Sequence, residues 1–192
     1  MRGSRRHLLL GVKPATAQIN QSPVDFAMGA TKSPKTAVPG GVWCPVISLY
    51  KATPRQEIDL EASYKYFSHL IRGGVNGLVL QGSTAEAALL APEERIEIIR
   101  TARRAASDLG VPGFPLICGI SGQSTNETLK LADDAAEAGA DYGLLLPPSY
   151  WVKAVSNDNI VEFYQEVADQ TRIPVIVYNV SIRARDNFRI EC

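Results

Sequence analysis

The sequence predicts an α/β fold in which short apolar strands alternate with amphipathic helices. From Gly41 onward, five strand–helix beginnings recur roughly every thirty residues, which is the spacing of βαβ units. The predicted strands are apolar on both faces, as strands in a parallel sheet covered by helices must be. An open doubly wound sheet and a closed barrel both fit this pattern. The first turn lacks a GxGxxG motif, which disfavours a dinucleotide-binding sheet.

Each element is predicted from its apolar period and its end signals. Pro92 favours a helix start because its missing N–H is not needed in a first turn, and Ser124 with Glu127 forms a capping box. The predicted strands are 42–49, 75–81, 114–120, 142–146 and 173–178. The predicted helices run from Asp59 to 72, from Pro92 to 109, from Ser124 to about Gly139, and from a cap at Asn157 or Asp158 through Val167. On the second helix, Arg100, Arg103 and Arg104 are predicted to lie mostly outward in solvent.

The stretch from Gly77 to Glu86 carries the strongest functional signal. A predicted buried strand breaks at Gly82 into Ser83, Thr84 and a predicted helix start. Free backbone N–H groups and two hydroxyls can together hold a small carboxylate or phosphate. Substrates of alternating strand–helix proteins bind at the C-terminal ends of the strands, so position and chemistry agree. A helix cap without a ligand is the alternative.

The composition excludes several classes of protein. Lys plus Arg and Asp plus Glu number 20 each, so the overall charge does not favour nucleic acid or an anionic membrane. The cysteines Cys44, Cys118 and Cys192 lack CxxC spacing, and there are only two histidines. We therefore expect a reducing compartment and no metal site.

The first forty residues differ from the rest in composition. They hold a single acid, Asp25, and six basic residues: Arg2, Arg5, Arg6, Lys13, Lys32 and Lys35. Such a bias is typical of a disordered leader and also of an organelle transit segment. The expectation is a leader over residues 1–40 in a cytoplasmic protein, with a mitochondrial location as the alternative.

Three segments together resemble one family. They are Gly82-Ser83-Thr84-Ala85-Glu86, Leu146-Pro147-Pro148-Ser149-Tyr150 and Val177-Tyr178-Asn179-Val180. The chain from about Gly41 to Val180 resembles the dihydrodipicolinate synthase and N-acetylneuraminate lyase family of class I aldolases. The segments look most like its branch that cleaves 2-keto-3-deoxy sugar acids. The resemblance implies a (β/α)₈ TIM barrel, of which residues 41–180 would hold about the first five strands and four helices.

The resemblance also implies roles for individual residues. Ser83 and Thr84 match the pair that binds the carboxylate of pyruvate. Tyr178 matches the tyrosine that passes protons during imine formation, and Tyr150 matches one that often reaches a neighbouring subunit and completes a relay with Thr84 and Tyr178. The expected partner is a small 2-keto acid, the family is homo-oligomeric, and neither a metal nor an organic cofactor is implied. Ala85 stands where the family usually has glycine.

One family residue has no counterpart in the printed sequence. Family members form a Schiff base through a lysine in the sixth strand, which must be partly neutral and hence buried or beside other cations. No lysine here lies in a predicted apolar strand: Lys13, Lys32, Lys35, Lys51, Lys65, Lys130 and Lys153. We therefore expect a family lyase that is inactive as this chain.

Two alternatives stay open beside that expectation. The first is a non-catalytic half-barrel that binds a ligand or another protein. The second is a condensation of the 4-hydroxy-tetrahydrodipicolinate synthase type in a full-length form. Residues 181–192 do not follow the family pattern, and we interpret them as translated intron or out-of-frame sequence.

Overall fold

A computed structural model describes residues 37–150 and 155–179 as a sheet covered by helices. The strands are β1 (Trp43–Pro45), β2 (Gly77–Leu80), β3 (Leu116–Gly119), β4 (Tyr142–Leu145) and β5 (Val175–Val177). The helices are α1 (Leu60–Arg72), α2 (Pro92–Asp108), α3 (Thr125–Ala138) and α4 (Asn157–Gln170), with short 3₁₀ turns at Ser83–Ala85 and Ala87–Leu89.

The sheet has five strands in the order β1-β2-β3-β4-β5, and every neighbouring pair is parallel. A doubly wound sheet would reverse this order at a switch point, whereas successive strands of a TIM barrel pair in chain order. The predicted incomplete barrel of five strands and four helices is therefore confirmed. Because all strands are parallel, their carboxyl ends lie at one edge of the sheet.

The strands are shorter than predicted, because only part of each apolar run pairs in the ladders. The register places Leu78 beside Leu116 and Leu80 beside Cys118. All four residues of β3 are buried, as expected for a strand covered on both faces.

Polar side chains at the helix starts fix where the helices begin. Ser124 Oγ accepts a hydrogen bond from Glu127 N at 3.2 Å, which confirms the cap predicted for α3. The Glu127 carboxylate accepts from Gln123 N at 2.7 Å instead of closing the predicted box on Ser124. The cap predicted for α4 is wrong: it is Ser156, not Asn157 or Asp158, whose hydroxyl accepts from Asn159 N at 3.2 Å. Ser156 has the extended backbone that a cap requires, whereas Asn157 is already helical.

The core lies between the sheet and the helices. Its largest fully buried side chains include Phe67 of α1, Ile99 of α2 and Tyr142 of β4. The prediction that Arg103 lies in solvent is wrong, because its side chain is only 21% exposed and pairs with Asp141. Among the described residues, no helix is long and apolar enough to cross a membrane.

Most of the predicted leader and the whole predicted tail over 181–192 lie outside the described residues. Their interpretations, and the domain boundaries at 40 and 180 that depend on them, stay predictions.

Candidate active site

The segment after β2 forms two 3₁₀ turns rather than the helix start that the sequence predicted. Glu86 separates the turns and has φ 53°, a left-handed conformation that reverses the chain. Because this residue interrupts any helical run, the first α-helical residue after β2 is Pro92. Ser83 and Thr84 therefore lie on a tight loop at the carboxyl edge of the sheet.

The first 3₁₀ turn presents several hydrogen-bond donors. The amides of Ala85 and Glu86 donate to the carbonyls of Gly82 and Ser83 at 3.1 and 3.2 Å. The first amides of a helical turn have no acceptor within it, so those of Ser83 and Thr84 remain available. The Ser83 hydroxyl is buried and has no hydrogen-bond partner in the described part of the chain. Thr84 is exposed.

Ala85 is accommodated without the backbone strain that a glycine would relieve. Its φ is not positive, its side chain is 2% exposed, and its methyl group packs in the core. Ser48, which follows β1, donates its hydroxyl to the Ala85 carbonyl at 2.6 Å. The left-handed residues are instead the flanking Gln81 and Glu86, with φ 55° and 53°.

Behind the turn lies a buried arginine that the sequence analysis did not single out. Arg95 of α2 donates to the side-chain oxygen of Gln81 at 3.3 Å and to the carbonyl of Gly119 at 2.8 Å. A signal for its burial was present, since Arg95 lies in the same helical stripe as Ile98, Ile99 and Ala102.

Tyr178 and Tyr150 lie at the same edge of the sheet as the turn. Tyr178 directly follows β5, is half-buried, and donates its amide to the Leu145 carbonyl at 2.9 Å. Tyr150 follows β4, and its side chain is 76% exposed. The Gln123 side chain holds this loop by accepting from the amides of Ser149 and Tyr150 at 3.1 and 3.0 Å.

The relay predicted between Thr84, Tyr150 and Tyr178 stays a prediction. Two strands, β3 and β4, separate the turn after β2 from the end of β5. The four predicted residues thus share one edge, and only Ser83 and Thr84 share one loop.

Tyr50 is a second residue, after Arg95, that the sequence analysis did not single out. It lies beyond β1, beside Ser48 and near Glu86, and burial together with the Glu86 carboxylate raises its pKa. A phenol that stays protonated is a hydrogen-bond donor at neutral pH. The signal available in the sequence was a pair of hydroxyl residues, Ser48 and Tyr50, at the C-terminal end of the first predicted strand.

The described lysines lack the buried position in a strand that is expected of an imine-forming lysine. Lys51, Lys65 and Lys130 are all exposed, and none belongs to a strand. Lys65 pairs with Glu61 at 2.6 Å on the surface of α1. The other lysines lie outside the described residues.

Comparison with known proteins identifies the family. Residues 39–192 match the family described as the dihydrodipicolinate synthetase family. The chain belongs to this family. The family includes aldolases, as the names of its relatives show.

Two fungal relatives and one solved structure illustrate the similarity. A protein of Emericella nidulans named probable 4-hydroxy-2-oxoglutarate aldolase, mitochondrial, is 39% identical over 139 residues, which cover 72% of this chain and 44% of the relative. The L-threo-3-deoxy-hexylosonate aldolase of Aspergillus niger is 37% identical over 147 residues, covering 76% and 44%.

The solved structure is YagE, a prophage protein of Escherichia coli K12 in the dihydrodipicolinic acid synthase family, in complex with pyruvate. It superposes with a TM-score of 0.69 at 31% identity, covering 78% of this chain and 47% of YagE. The chain thus spans about half the length of these relatives. The five parallel strands and four helices of this chain form part of the TIM barrel of the family.

Proposed function

We propose that this chain carries the keto-acid-binding part of a class I aldolase site. Ser83 and Thr84 bind the carboxylate of a small 2-keto acid such as pyruvate through their amides and hydroxyls. The preferred substrates belong to the 2-keto-3-deoxy acid class, in keeping with the sugar-acid aldolase name of the Aspergillus niger relative.

One observation carries this proposal. The Ser83 hydroxyl is buried and has no partner among the described residues, and a buried polar group that lacks a hydrogen bond costs folding free energy. A bound ligand is one way to supply the missing bond. The two open amides of the same 3₁₀ turn and its place at the carboxyl edge of a parallel sheet favour an anionic ligand.

Tyr178 and Tyr150 have supporting roles in this proposal. A phenol can relay a proton between neighbours because its hydroxyl both donates and accepts a hydrogen bond. Tyr178 passes protons to and from the keto oxygen in any step in which an amine adds to the keto group. Tyr150, whose side chain is 76% exposed, completes the relay once a second subunit or a substrate brings the groups together.

We further propose that the 192-residue chain binds the keto acid without forming an imine. An imine-forming lysine needs a pKa lowered by burial or by cationic neighbours. The described lysines, Lys51, Lys65 and Lys130, are exposed and none belongs to a strand, so the sheet does not bury any of them.

Pyruvate binding tests the first part of the proposal. Calorimetric titration of the purified chain should detect binding, and Ser83→Ala should weaken it because one donor to the carboxylate is lost. Ser68→Ala is the matched control, since Ser68 in α1 is a buried serine that lies away from the turn. Equal affinity in the Ser83 and Ser68 variants would contradict the proposal.

Borohydride reduction tests the second part. The chain is incubated with pyruvate and borohydride and then weighed by mass spectrometry. The expected result is an unchanged mass, because no described lysine is poised to attack the keto group. A stable adduct mapped to any lysine would show that the chain performs imine chemistry.

The fungal relative named as mitochondrial supports the mitochondrial alternative over the cytoplasmic expectation. The basic, acid-poor composition of residues 1–40 agrees with it. A fusion of these residues to a fluorescent protein should colocalise with a mitochondrial marker in fungal cells. A diffuse cytosolic signal would restore the original expectation.

A further inference from the structure

Arg95 is a buried cation that forms no ion pair with an acidic side chain in the described part of the chain. It is 9% exposed, and the Glu127 carboxylate acts on its charge from beyond ion-pair distance. Burial lowers its pKa, yet a guanidinium remains charged in a protein. A buried charge without a direct counter-ion is costly, so its presence behind the turn calls for a physical reason.

The partners of Arg95 belong to three segments around the carboxylate-binding turn. Its guanidinium donates to Gln81, directly before the turn, to the carbonyl of Ala87 at 3.3 Å directly after it, and to Gly119 at the end of β3. In return, the side-chain amide of Gln81 donates through Nε2 to the main-chain carbonyl of Arg95 at 2.6 Å. Arg95 therefore holds both ends of the 82–86 loop against the neighbouring strand.

The contacts of Gln81 show that this loop is tightly constrained. Gln81 is buried and left-handed, a conformation that costs free energy for a residue with a side chain. A Cβ built on Gly119 would lie only 1.9 Å from the Gln81 carbonyl oxygen, so the two backbones are in close contact. The bonds to Arg95 keep Gln81 in this conformation and thereby orient the residues that follow.

We propose that Arg95 is a positioning residue for keto-acid binding. It fixes the turn that carries Ser83 and Thr84, and it places a positive charge behind that turn. In the interior, where the effective dielectric constant is low, this charge favours an anionic ligand over a neutral one of the same shape. The inference rests on the proposed function and adds that Arg95 makes the site prefer an anionic ligand.

The test compares pyruvate with its neutral isostere pyruvamide. In Arg95→Gln, pyruvate affinity should fall about tenfold or more, the scale of a lost interaction with a charged group, while pyruvamide affinity changes less. Arg95→Lys should restore part of the pyruvate affinity, because the charge returns although the fork of donors does not. Loss of both ligands to the same extent, without rescue by lysine, would overturn the role of the charge.

Arg103→Gln is the matched control for folding damage. Arg103 lies on the same helix and also binds main-chain carbonyls, but at the opposite end of the sheet. Arg103→Gln should lower the melting temperature while leaving pyruvate affinity unchanged. An equal loss of affinity in Arg95→Gln and Arg103→Gln would overturn a specific role for Arg95.

Hydrogen exchange separates this inference from the proposed function. Arg95→Gln should speed exchange at the amides of Ala85 and Glu86 relative to Arg103→Gln, whether or not a ligand is present. If the unaltered chain fails to bind pyruvate, the proposed function is wrong, and unchanged exchange in Arg95→Gln would additionally refute the positioning role.

Discussion

The carboxylate of Asp141 accepts hydrogen bonds from the Arg103 guanidinium at 2.8 Å and from the Leu116 amide at 2.9 Å. Arg103 also donates to the carbonyls of Phe114 at 2.7 Å and of Gly139 at 2.6 Å. These bonds join α2 to the beginnings of β3 and β4, at the edge of the sheet opposite the candidate site. The Arg103–Asp141 pair therefore stabilises the packing of α2 against β3 and β4.

Asp141→Asn should therefore destabilise the fold. The substitution removes the charge that faces Arg103 in a site where Asp141 is only 4% exposed. Breaking such a partly buried pair should lower the free energy of unfolding by about 2–3 kcal/mol. Urea unfolding followed by circular dichroism measures the change.

The control for this prediction is Glu97→Gln. Glu97 pairs with Arg100 at 2.9 Å, but the two side chains are 48% and 60% exposed. Solvent screens such a pair, so its loss should leave the unfolding midpoint nearly unchanged. Similar losses in the two variants would mean that burial does not determine the strength of these pairs.

The sequence was sufficient for the order of the elements because the signals of each element are local. Pro92, the Ser124–Glu127 box and the apolar strands need no tertiary contact to be recognised. The contacts of Arg95 and Arg103 could not be predicted from the sequence. Helical spacing indicates the face on which a side chain lies, but not the carbonyls to which it donates. Those carbonyls belong to strands distant in the sequence.

The candidate site could be predicted only in part for a similar reason. Ser83 and Thr84 are adjacent in sequence, so their joint presence in one loop followed directly. The left-handed Glu86 gave no signal, because a glutamate does not favour that conformation. The relation of Tyr150 and Tyr178 to the turn depends on the curvature of the sheet, which no local pattern encodes.

Gly119→Ala should be severely destabilising. The added methyl group would meet the Gln81 carbonyl oxygen at 1.9 Å, and a backbone carbonyl directly after β2 cannot turn away as the end of a side chain can. We expect a loss of about 3 kcal/mol or more, above the ordinary range for overpacking. Thermal unfolding or the soluble yield of the variant measures it.

Gly143→Ala is the matched comparison in the next strand. There the added methyl group would meet the end of the Ile120 side chain at 2.5 Å, which can rotate away. The expected loss is about 1–2 kcal/mol. A larger loss for Gly143→Ala than for Gly119→Ala would contradict the interpretation that backbone contact decides the cost.

Gln56→Gly should stabilise the chain. Gln56 is exposed and has φ 51°, and its amide bonds to the Thr53 carbonyl at 3.1 Å, a bond that glycine keeps. Relief of the left-handed strain should exceed the entropy cost of glycine by about 0.5 kcal/mol. Gln56→Ala retains the Cβ, so a gain of the same size in that variant would refute strain as the cause.

Tyr164 should make the fold sensitive to alkaline pH. Its hydroxyl donates to the Leu145 carbonyl at 3.0 Å, and burial raises its pKa well above the usual value. Above the unfolded pKa of about 10, the unfolded chain loses this proton while the folded chain keeps it. The free energy of unfolding should therefore be fully retained below that pH and fall as the pH rises further.

Tyr164→Phe isolates this contribution. At neutral pH it should cost about 1 kcal/mol for the lost hydrogen bond, and above about pH 10 its stability should fall less steeply than that of the unaltered chain. Phe163→Leu is the control, because it alters the neighbouring buried ring without removing a titratable group. Urea unfolding across the alkaline range gives both slopes. If Tyr164→Phe and Phe163→Leu decline equally with pH, the alkaline loss does not come from Tyr164. Tyr50 and Tyr142, whose pKa is also raised by desolvation, then become the groups to substitute next.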